Sequence, residues 1–201
     1  MTGAPIEFYF DFSSPYGYLG AQRIDAIGAE FGRTVTWRPI LLGVVFKATG
    51  QSPLVSQNLR GPYSARDMAR SARKLGIRFA LPEGFPFSSV HACRVFYWLD
   101  GRSPEAAKDY ARAVYRTAFA GARVVADAAA AAELAAGLGH DRAHVLAGME
   151  DAAVKERLRA ETQQAMDKGV FGSPFVIVDG EPFWGNDRLA EVREWLQTGG
   201  W

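Results

Sequence analysis

The segments with strand character in this sequence lie at its two ends, and a long helical stretch separates them. At the front, residues 6–12 and 35–40 are rich in aromatic and β-branched side chains, which favour strands. Between them, residues 15–31 carry apolar side chains at helical spacing. This order predicts two parallel strands joined by a helical crossover.

The end of the chain has a different order. Residues 175–178 predict a short strand, the Asp-Gly pair at 179–180 predicts a hairpin turn, and residues 182–184 predict the partner strand. A last helix is predicted over residues 188–196, with Asp187 at its start as a cap. Together the two ends predict an α/β, thioredoxin-like domain with a central mixed four-stranded sheet; a cis-proline in this domain is implied by the family resemblance described below.

The middle of the chain is predicted to be an all-helical insertion. Residues 43–61 are rich in Gly, Pro, Ser and Gln and predict a long connection, which in compact domains is usually functional. Helical patterns then follow over residues 64–75, 90–99, 105–119, 127–138 and 142–167. We therefore predict a discontinuous thioredoxin-like domain of residues 1–43 and 165–201, and a large helical insertion domain of residues 44–164.

The composition narrows the classes of partner. The chain has 201 residues, and its 23 Lys and Arg against 22 Asp and Glu give a net charge of +1, so no nucleic-acid or membrane partner is predicted. The sequence shows no apolar run of bilayer length and no signal-peptide pattern at its start. Cys93 is the single cysteine, which excludes an intramolecular disulfide and a multi-cysteine metal site. A cytoplasmic protein is the expectation.

Ser14 and Pro15 follow the first predicted strand and begin the first predicted helix. Serine before proline is a common helix cap, and capping alone explains the pair. In thioredoxin-like folds, however, this turn carries the reactive group, because free N–H groups and the helix dipole stabilise a thiolate there. With serine in this place, the pattern predicts a hydroxyl that donates to a thiolate brought in by a ligand.

Two further turns are candidates for ligand binding. Ser173 and Pro174 form either an ordinary turn or a cis peptide bond whose flanking backbone groups pair with an extended peptide such as glutathione. The segment 184–187 (Trp-Gly-Asn-Asp) is a helix cap with a neighbouring core tryptophan. It also predicts capture of a ligand, because backbone N–H groups at a helix start bind a carboxylate and Asp187 accepts from an ammonium group.

The remaining candidates have simpler explanations beside the functional ones. Lys47 and Arg60 are either solvated cations or carboxylate-binding groups, and residues 85–89 either cover the helical lobe or line a pocket for an aromatic substrate. Cys93 lies in an apolar helical pattern, which predicts a buried, inert thiol. His140 and His144 have the spacing of a metal pair, but the sequence offers no third ligand, and no metal site is predicted.

Four separated motifs resemble those of one enzyme family. Residues 8–16, 39–50, 169–174 and 183–189, in this order, resemble the 2-hydroxychromene-2-carboxylate isomerases. These enzymes are similar to kappa-class glutathione transferases and belong to the DsbA-like branch of thioredoxin folds. The resemblance covers essentially the whole chain and implies glutathione as cofactor, a small aromatic acid as substrate, and a homodimer.

The resemblance also implies roles for single residues. Ser14 matches the catalytic serine that hydrogen-bonds the glutathione sulfur. Ser173 matches the residue before the cis proline, Pro174, and pairs with the cysteinyl backbone. The γ-glutamyl group is implied to be held by the stretch Trp184, Gly185, Asn186 and Asp187.

Other implied contacts lie in the helical insertion. Gln51 and Arg60 fall where the transferase relatives bind glutathione, and Lys47 lies near the basic position of the substrate pocket. Phe87 and Ser88 are implied to contact substrate, although the isomerases often have an asparagine where this chain has Ser88.

The implied reaction is the glutathione-dependent interconversion of 2-hydroxychromene-2-carboxylate and trans-o-hydroxybenzylidenepyruvate, or of a similar ring-cleavage product. Two alternatives stay open: a transferase that conjugates glutathione to electrophiles, and a non-catalytic, peptide-binding module. A disulfide oxidoreductase is disfavoured, because Cys93 is alone and lies in the helical stretch.

Overall fold

The computed structural model describes residues 3–201 and contains one four-stranded sheet. Its strands are β1 (Ile6–Phe10), β2 (Val35–Pro39), β3 (Phe175–Val178) and β4 (Glu181–Trp184), in the spatial order β2-β1-β3-β4. β1 pairs with β2 in parallel, and both β1–β3 and β3–β4 are antiparallel. The predicted mixed sheet is therefore confirmed, and the ends of the chain meet at its centre.

Ten α-helices surround this sheet in the part of the chain that is described. They are α1 (Pro15–Ala21), α2 (Ile24–Glu30), α3 (Leu42–Thr49), α4 (Arg60–Lys74), α5 (Val90–Asp100), α6 (Pro104–Tyr115), α7 (Ala128–Ala136), α8 (Arg142–Glu150), α9 (Ala152–Asp167) and α10 (Leu189–Thr198). Short 3₁₀ turns cover Leu54–Ser56 and Asn186–Arg188, and a π-helical turn covers Arg116–Ala120.

Two predicted helices are each divided in the structure. The helix predicted over residues 15–31 breaks at Arg23, whose φ of −125° is not helical. The helix predicted over 142–167 breaks at Asp151, which is extended and whose carboxylate accepts the Ala153 N–H at 2.8 Å. In the second case the reason is a capping side chain inside an apolar pattern.

Two other predictions about local structure are wrong. Most of the connection predicted over residues 43–61 is not irregular, because α3 occupies its start. The carboxylate of Asp11, which is distant in sequence, accepts the Leu42 N–H at 2.8 Å at the first residue of this helix. Asp187 does not cap the last helix: it lies within the 3₁₀ turn Asn186–Arg188, and α10 begins at Leu189 without a side-chain cap.

The aromatic side chains of β1 join the sheet to the helical insertion in one core. Phe8 and Phe10 point to the same face, as period-two alternation requires. The Phe10 ring lies 6.0 Å from Phe96 of α5 and 5.7 Å from Tyr115 of α6, centroid to centroid. The insertion is thus packed directly against the strand that leads to Ser14. The domain boundaries at residues 43 and 165 stay predictions from the sequence.

Candidate active site

Ser14 is the N-cap of α1, as the sequence predicts. Its backbone is extended, with φ −102° and ψ 113°, and its Oγ accepts the Gly17 N–H at 3.0 Å. Pro15 occupies the first turn of the helix, where a missing N–H costs nothing. Ser14 is buried, with 6% of its surface exposed, so its hydroxyl lies in a largely dry environment.

Ser173 lies against Ser14, although the two are 159 positions apart in sequence. The Ser14 hydroxyl donates to the carbonyl oxygen of Ser173 at 2.9 Å. The Ser173–Pro174 peptide bond is cis. Both the cis bond and the meeting of the two turns are therefore confirmed, and the site has the expected position at the first helix terminus.

Asp11 holds these two turns together, and the sequence analysis did not single it out. Its N–H donates to Ser173 Oγ at 3.0 Å, and its carbonyl oxygen accepts the Ser14 N–H at 2.9 Å. The same carbonyl accepts the hydroxyl of Tyr115 at 3.0 Å. In the sequence, the one indication of this role is that Asp11 is a polar residue at the end of an apolar strand.

Both oxygens of the Asp11 carboxylate also accept hydrogen bonds. It is 4% exposed and accepts the N–H groups of Ser13 at 2.7 Å and Leu42 at 2.8 Å. Burial raises the pKa of this carboxyl above its ordinary value, while these two N–H groups and the Ser89 side chain act in the opposite direction. Asp11 thus connects β1, the Ser14 turn, α3 and the helical insertion.

Gly17 has no side chain, which leaves room for the Tyr115 hydroxyl and Ser173 Oγ next to Ser14. A Cβ at this position would lie 2.6 Å from the Tyr115 hydroxyl and 2.7 Å from Ser173 Oγ. Such distances are far below van der Waals contact, so any side chain here displaces the groups behind Ser14.

Several backbone donors around the cis proline have no acceptor within residues 3–201. These are the N–H groups of Ser173, Asn186 and Asp187. Ser173 and Asn186 are buried, at 8% and 7% exposure. Because buried N–H groups are rarely left unpaired, these donors fit a ligand that carries carbonyl and carboxylate oxygens.

The Trp184 segment forms the rim next to these donors. The indole is 54% exposed and packs edge-on against Phe171 at 4.7 Å between centroids. It also covers Gly172 so closely that no Cβ fits there. The Gly185 N–H donates to the carbonyl of Pro174 at 3.0 Å, so this N–H, unlike those of Asn186 and Asp187, is already used.

Tyr16 is a second site residue that the sequence analysis missed. Its hydroxyl donates to Asp67 of α4 at 2.6 Å. Burial raises the pKa of Tyr16, and the hydrogen bond and charge of Asp67 raise it further, with smaller effects of Tyr63 and Asp187. Tyr16 therefore stays a neutral donor. It lies between α4 and Asp187, two residues from Ser14.

The helical insertion reaches the site through Phe87. The Phe87 N–H donates to Ser13 Oγ at 3.0 Å, and its half-buried ring lies 6.3 Å from that of Phe119. Phe87 is thus beside the Ser14 turn, as a substrate-contacting role requires. Ser88 is exposed, and no hydrogen bond in the described part of the chain connects it to this turn.

Three other predicted site residues are not brought to Ser14 by a polar contact. Lys47 and Gln51 are exposed, and Arg60 donates to the neighbouring Gln57 at 3.3 Å. Within residues 3–201, no hydrogen bond or ion pair joins any of them to Ser14 or Ser173. Their roles stay predictions.

Cys93 is buried, and burial followed by the charge of Asp11 raises its pKa well above the ordinary value. The predicted burial of this thiol is confirmed. Across the described residues, no helix has the length and apolar character needed to cross a membrane. The same residues contain no group of three His, Cys, Asp or Glu side chains placed to hold a metal ion.

This geometry defines a thioredoxin-like protein in which a serine that caps the first helix, not a cysteine, lies against the residue before the cis proline. The chain belongs to the DSBA-like thioredoxin domain family, which matches residues 5–197. The predicted resemblance is also confirmed by individual relatives. A 2-hydroxychromene-2-carboxylate isomerase of Pseudomonas putida is 29% identical over 187 residues, covering 92% of this chain and 90% of that protein.

Two further comparisons agree with this placement. Glutathione S-transferase kappa 2 of Caenorhabditis elegans is 28% identical over 204 residues, covering 95% of this chain and 91% of that protein. A solved structure of a 2-hydroxychromene-2-carboxylate isomerase superposes with a TM-score of 0.84 at 26% identity, covering 96% of this chain and 94% of that chain. The relatives thus include both isomerases and glutathione transferases.

Proposed function

We propose that this protein is a glutathione-dependent isomerase that interconverts 2-hydroxychromene-2-carboxylate and trans-o-hydroxybenzylidenepyruvate, or a similar aromatic ring-cleavage product. One observation carries the proposal: the buried Ser14 hydroxyl, at the start of α1, lies 2.9 Å from the backbone of Ser173. A thiol ligand paired with Ser173 therefore has its sulfur within reach of that hydroxyl.

The unpaired donors support glutathione as the cofactor. The Ser173 N–H suits the cysteinyl carbonyl, and the N–H groups of Asn186 and Asp187 suit the γ-glutamyl carboxylate. The Asp187 carboxylate suits the ammonium group of the same ligand. The exposed indole of Trp184 forms the wall next to this position.

When bound, glutathione supplies a thiolate that adds reversibly to a conjugated double bond and so permits rotation about it. The Ser14 hydroxyl stabilises the negative charge on sulfur, and the positive end of the α1 dipole adds to this effect. One pKa unit requires about 1.4 kcal/mol of preference for the thiolate. A charge-assisted hydrogen bond together with a helix terminus is of that size.

The substrate is proposed to lie on the side of the helical insertion. The half-buried ring of Phe87, whose backbone N–H donates to Ser13 Oγ, offers an apolar surface for an aromatic acid. Lys47 and Ser88 remain proposed substrate contacts, and Gln51 and Arg60 remain proposed glutathione contacts.

The test is the variant Ser14→Ala. We expect the pKa of bound glutathione to rise by about one unit and isomerisation to fall about tenfold, because one hydrogen bond to the thiolate is lost. Ser14→Thr keeps a hydroxyl and should recover most of both. An unchanged thiol titration in Ser14→Ala removes Ser14 from the mechanism.

A second candidate is a transferase, which the similarity to the kappa transferase favours. A transferase uses the same thiolate, but the glutathione stays bonded to the product and is not released again. Consumption of glutathione with a generic electrophile, without turnover of the chromene acid, identifies this activity. A failure to bind glutathione at millimolar concentration favours the non-catalytic, peptide-binding module instead.

A homodimer and a cytoplasmic location complete the proposal. The homodimer is implied by the family resemblance, and the cytoplasmic location is the expectation from the sequence. Light scattering at micromolar concentration tests the first, and fractionation of the source cells tests the second.

A further inference from the structure

Ser13, the residue before Ser14, has a hydroxyl proton that no atom of residues 3–201 accepts. Its Oγ accepts the Phe87 N–H at 3.0 Å, and its own N–H donates to the Asp11 carboxylate at 2.7 Å. A serine hydroxyl accepts two hydrogen bonds and donates one. Because the side chain is only partly buried, this proton is available to a ligand.

Four neighbouring hydroxyl groups already donate within the protein. Each has an acceptor at 2.6 to 3.0 Å, and they belong to Ser14, Tyr16, Tyr18 and Tyr115. The Ser173 hydroxyl has no acceptor within residues 3–201, but it is buried, at 8% exposure, and lies against the Asp11 N–H. Ser13 is thus the partly exposed hydroxyl of this turn that donates to no described atom of the protein.

We propose that Ser13 is a second catalytic residue, whose hydroxyl donates to the 2-oxo oxygen of the substrate. This inference rests on the proposed function and adds a residue to its site. Ser13 lies between Ser14, the proposed partner of the sulfur, and Phe87, the proposed contact of the aromatic ring. A substrate that reaches from one to the other has its connecting atoms beside Ser13.

The 2-oxo oxygen is the atom on which charge develops in the proposed isomerisation. The double bond of the substrate is conjugated with this carbonyl group. Forming a carbon–sulfur bond at the carbon next to the ring therefore moves the π pair toward the carbonyl carbon and the carbonyl pair onto oxygen. Breaking the same bond after rotation returns both pairs, and no proton is gained or lost overall. A donor at this oxygen stabilises the transition state more than the ground state.

Ser13 is positioned for this role before a substrate binds. The Phe87 N–H fixes the place of its Oγ, and the Asp11 carboxylate fixes the backbone of the turn. A donor that is held in place does not have to reorganise as charge develops. The site then has one hydroxyl for each end of the moving charge, Ser14 for sulfur and Ser13 for oxygen.

The kinetic test is the variant Ser13→Ala. We expect kcat and kcat/KM of the isomerisation to fall together, about a hundredfold, because the lost bond is made chiefly in the transition state. KM and the pKa of bound glutathione should keep their wild-type values, which separates Ser13 from Ser14. Ser13→Thr keeps a hydroxyl and should recover most of the rate.

Ser103→Ala is the matched control. Ser103 Oγ likewise accepts a backbone N–H, that of Ala106 at 3.2 Å, but it does so at the start of α6. Its removal should leave kcat and KM unchanged.

A second measurement needs neither turnover nor glutathione. The saturated analogue 4-phenyl-2-oxobutanoate has the 2-oxo group but no double bond, so it binds without reacting. A hydrogen bond lowers the stretching frequency of a carbonyl group, and a carbon-13 label at the 2-oxo carbon identifies this band by infrared difference spectroscopy. We expect the band at higher frequency in Ser13→Ala than in wild type, and Ser13→Thr should restore it.

The outcomes separate the two levels of the proposal. An unchanged carbonyl band in Ser13→Ala, or a rise in KM with kcat unchanged, means that Ser13 only holds Phe87; this overturns the inference and leaves the proposed function standing. A wild-type protein that isomerises the substrate equally fast without glutathione, or not at all, overturns both.

Discussion

Asp11 is the residue on which the geometry of the site depends most. Its backbone contacts Ser14, Ser173 and Tyr115, and its carboxylate accepts two N–H groups. A buried carboxylate costs desolvation energy, and hydrogen bonds from N–H groups offset part of it. Asp11 therefore determines the positions of neighbouring backbone atoms at the expense of some stability at neutral pH.

This leads to a prediction for the pH dependence of folding. Because burial raises the pKa of Asp11 in the folded protein, its contribution to stability is complete below its unfolded pKa, about 3.9, and is lost as pH rises through the folded value. Asp11→Asn removes this titration. The free energy of unfolding of wild type, relative to Asp11→Asn, should therefore fall as pH rises from about 4 and then become constant.

Urea denaturation of both proteins across this range measures the difference, in which titrations common to both cancel. Parallel stability curves would show that Asp11 does not titrate differently on folding.

Gly17 gives a second prediction at the scale of single residues. Gly17→Ala places a methyl group against Tyr115 and Ser173, and we expect a loss of about 1–3 kcal/mol in the free energy of unfolding. Gly43→Ala is the control, because Gly43 lies in α3 with open space around it. It should gain up to about 1 kcal/mol from helix propensity.

Thermal or urea denaturation measures both variants. A Gly17→Ala protein as stable as the wild type would mean that Tyr115 and Ser173 move away at little cost.

At the scale of elements, α1 is held on both sides. Ser14 caps its start and meets the Ser173 turn, and Tyr16 in its first turn bonds to Asp67 of α4. Asp67 also pairs with Arg70 of the same helix. The first turn of α1 is therefore positioned by the sheet end and by the helical insertion together.

The Tyr16 contact can be tested by removing one atom. Tyr16→Phe should lower the free energy of unfolding by about 1 kcal/mol, because a hydrogen bond to a charged, partly buried acceptor is lost. Tyr63→Phe is the matched control, since Tyr63 is 62% exposed and should change stability by less than about 0.5 kcal/mol. Equal losses in the two variants would contradict a role for Tyr16 in joining α1 to α4.

At the scale of the whole molecule, the site is assembled from three distant parts of the chain. Ser14 comes from the front, Ser173 from the end, and Tyr115 and Phe87 from the helical insertion. The aromatic contacts of Phe10 with Phe96 and Tyr115 place the insertion against the same strand end. Removing the insertion would therefore expose the core and take away part of the site.

The sequence by itself determined the sheet, the Ser14 cap, the Asp179-Gly180 turn and the two halves of the site. These depend on local signals: aromatic and β-branched runs, serine before proline, and a dipeptide that accepts positive φ, as both Asp179 at 52° and Gly180 at 94° show. The family resemblance added the cis bond before Pro174, which local patterns leave open.

Only the tertiary structure decided how these parts are held. The start of α3 is capped by Asp11, 31 positions away, and no local pattern reveals such a cap. The Tyr16–Asp67 bond spans 51 positions and the Tyr115–Asp11 bond spans 104, so neither leaves a periodicity in the sequence. The Ser14 hydroxyl donates to the carbonyl oxygen of Ser173. The sequence does not reveal this acceptor either, because every residue of the chain has a carbonyl oxygen.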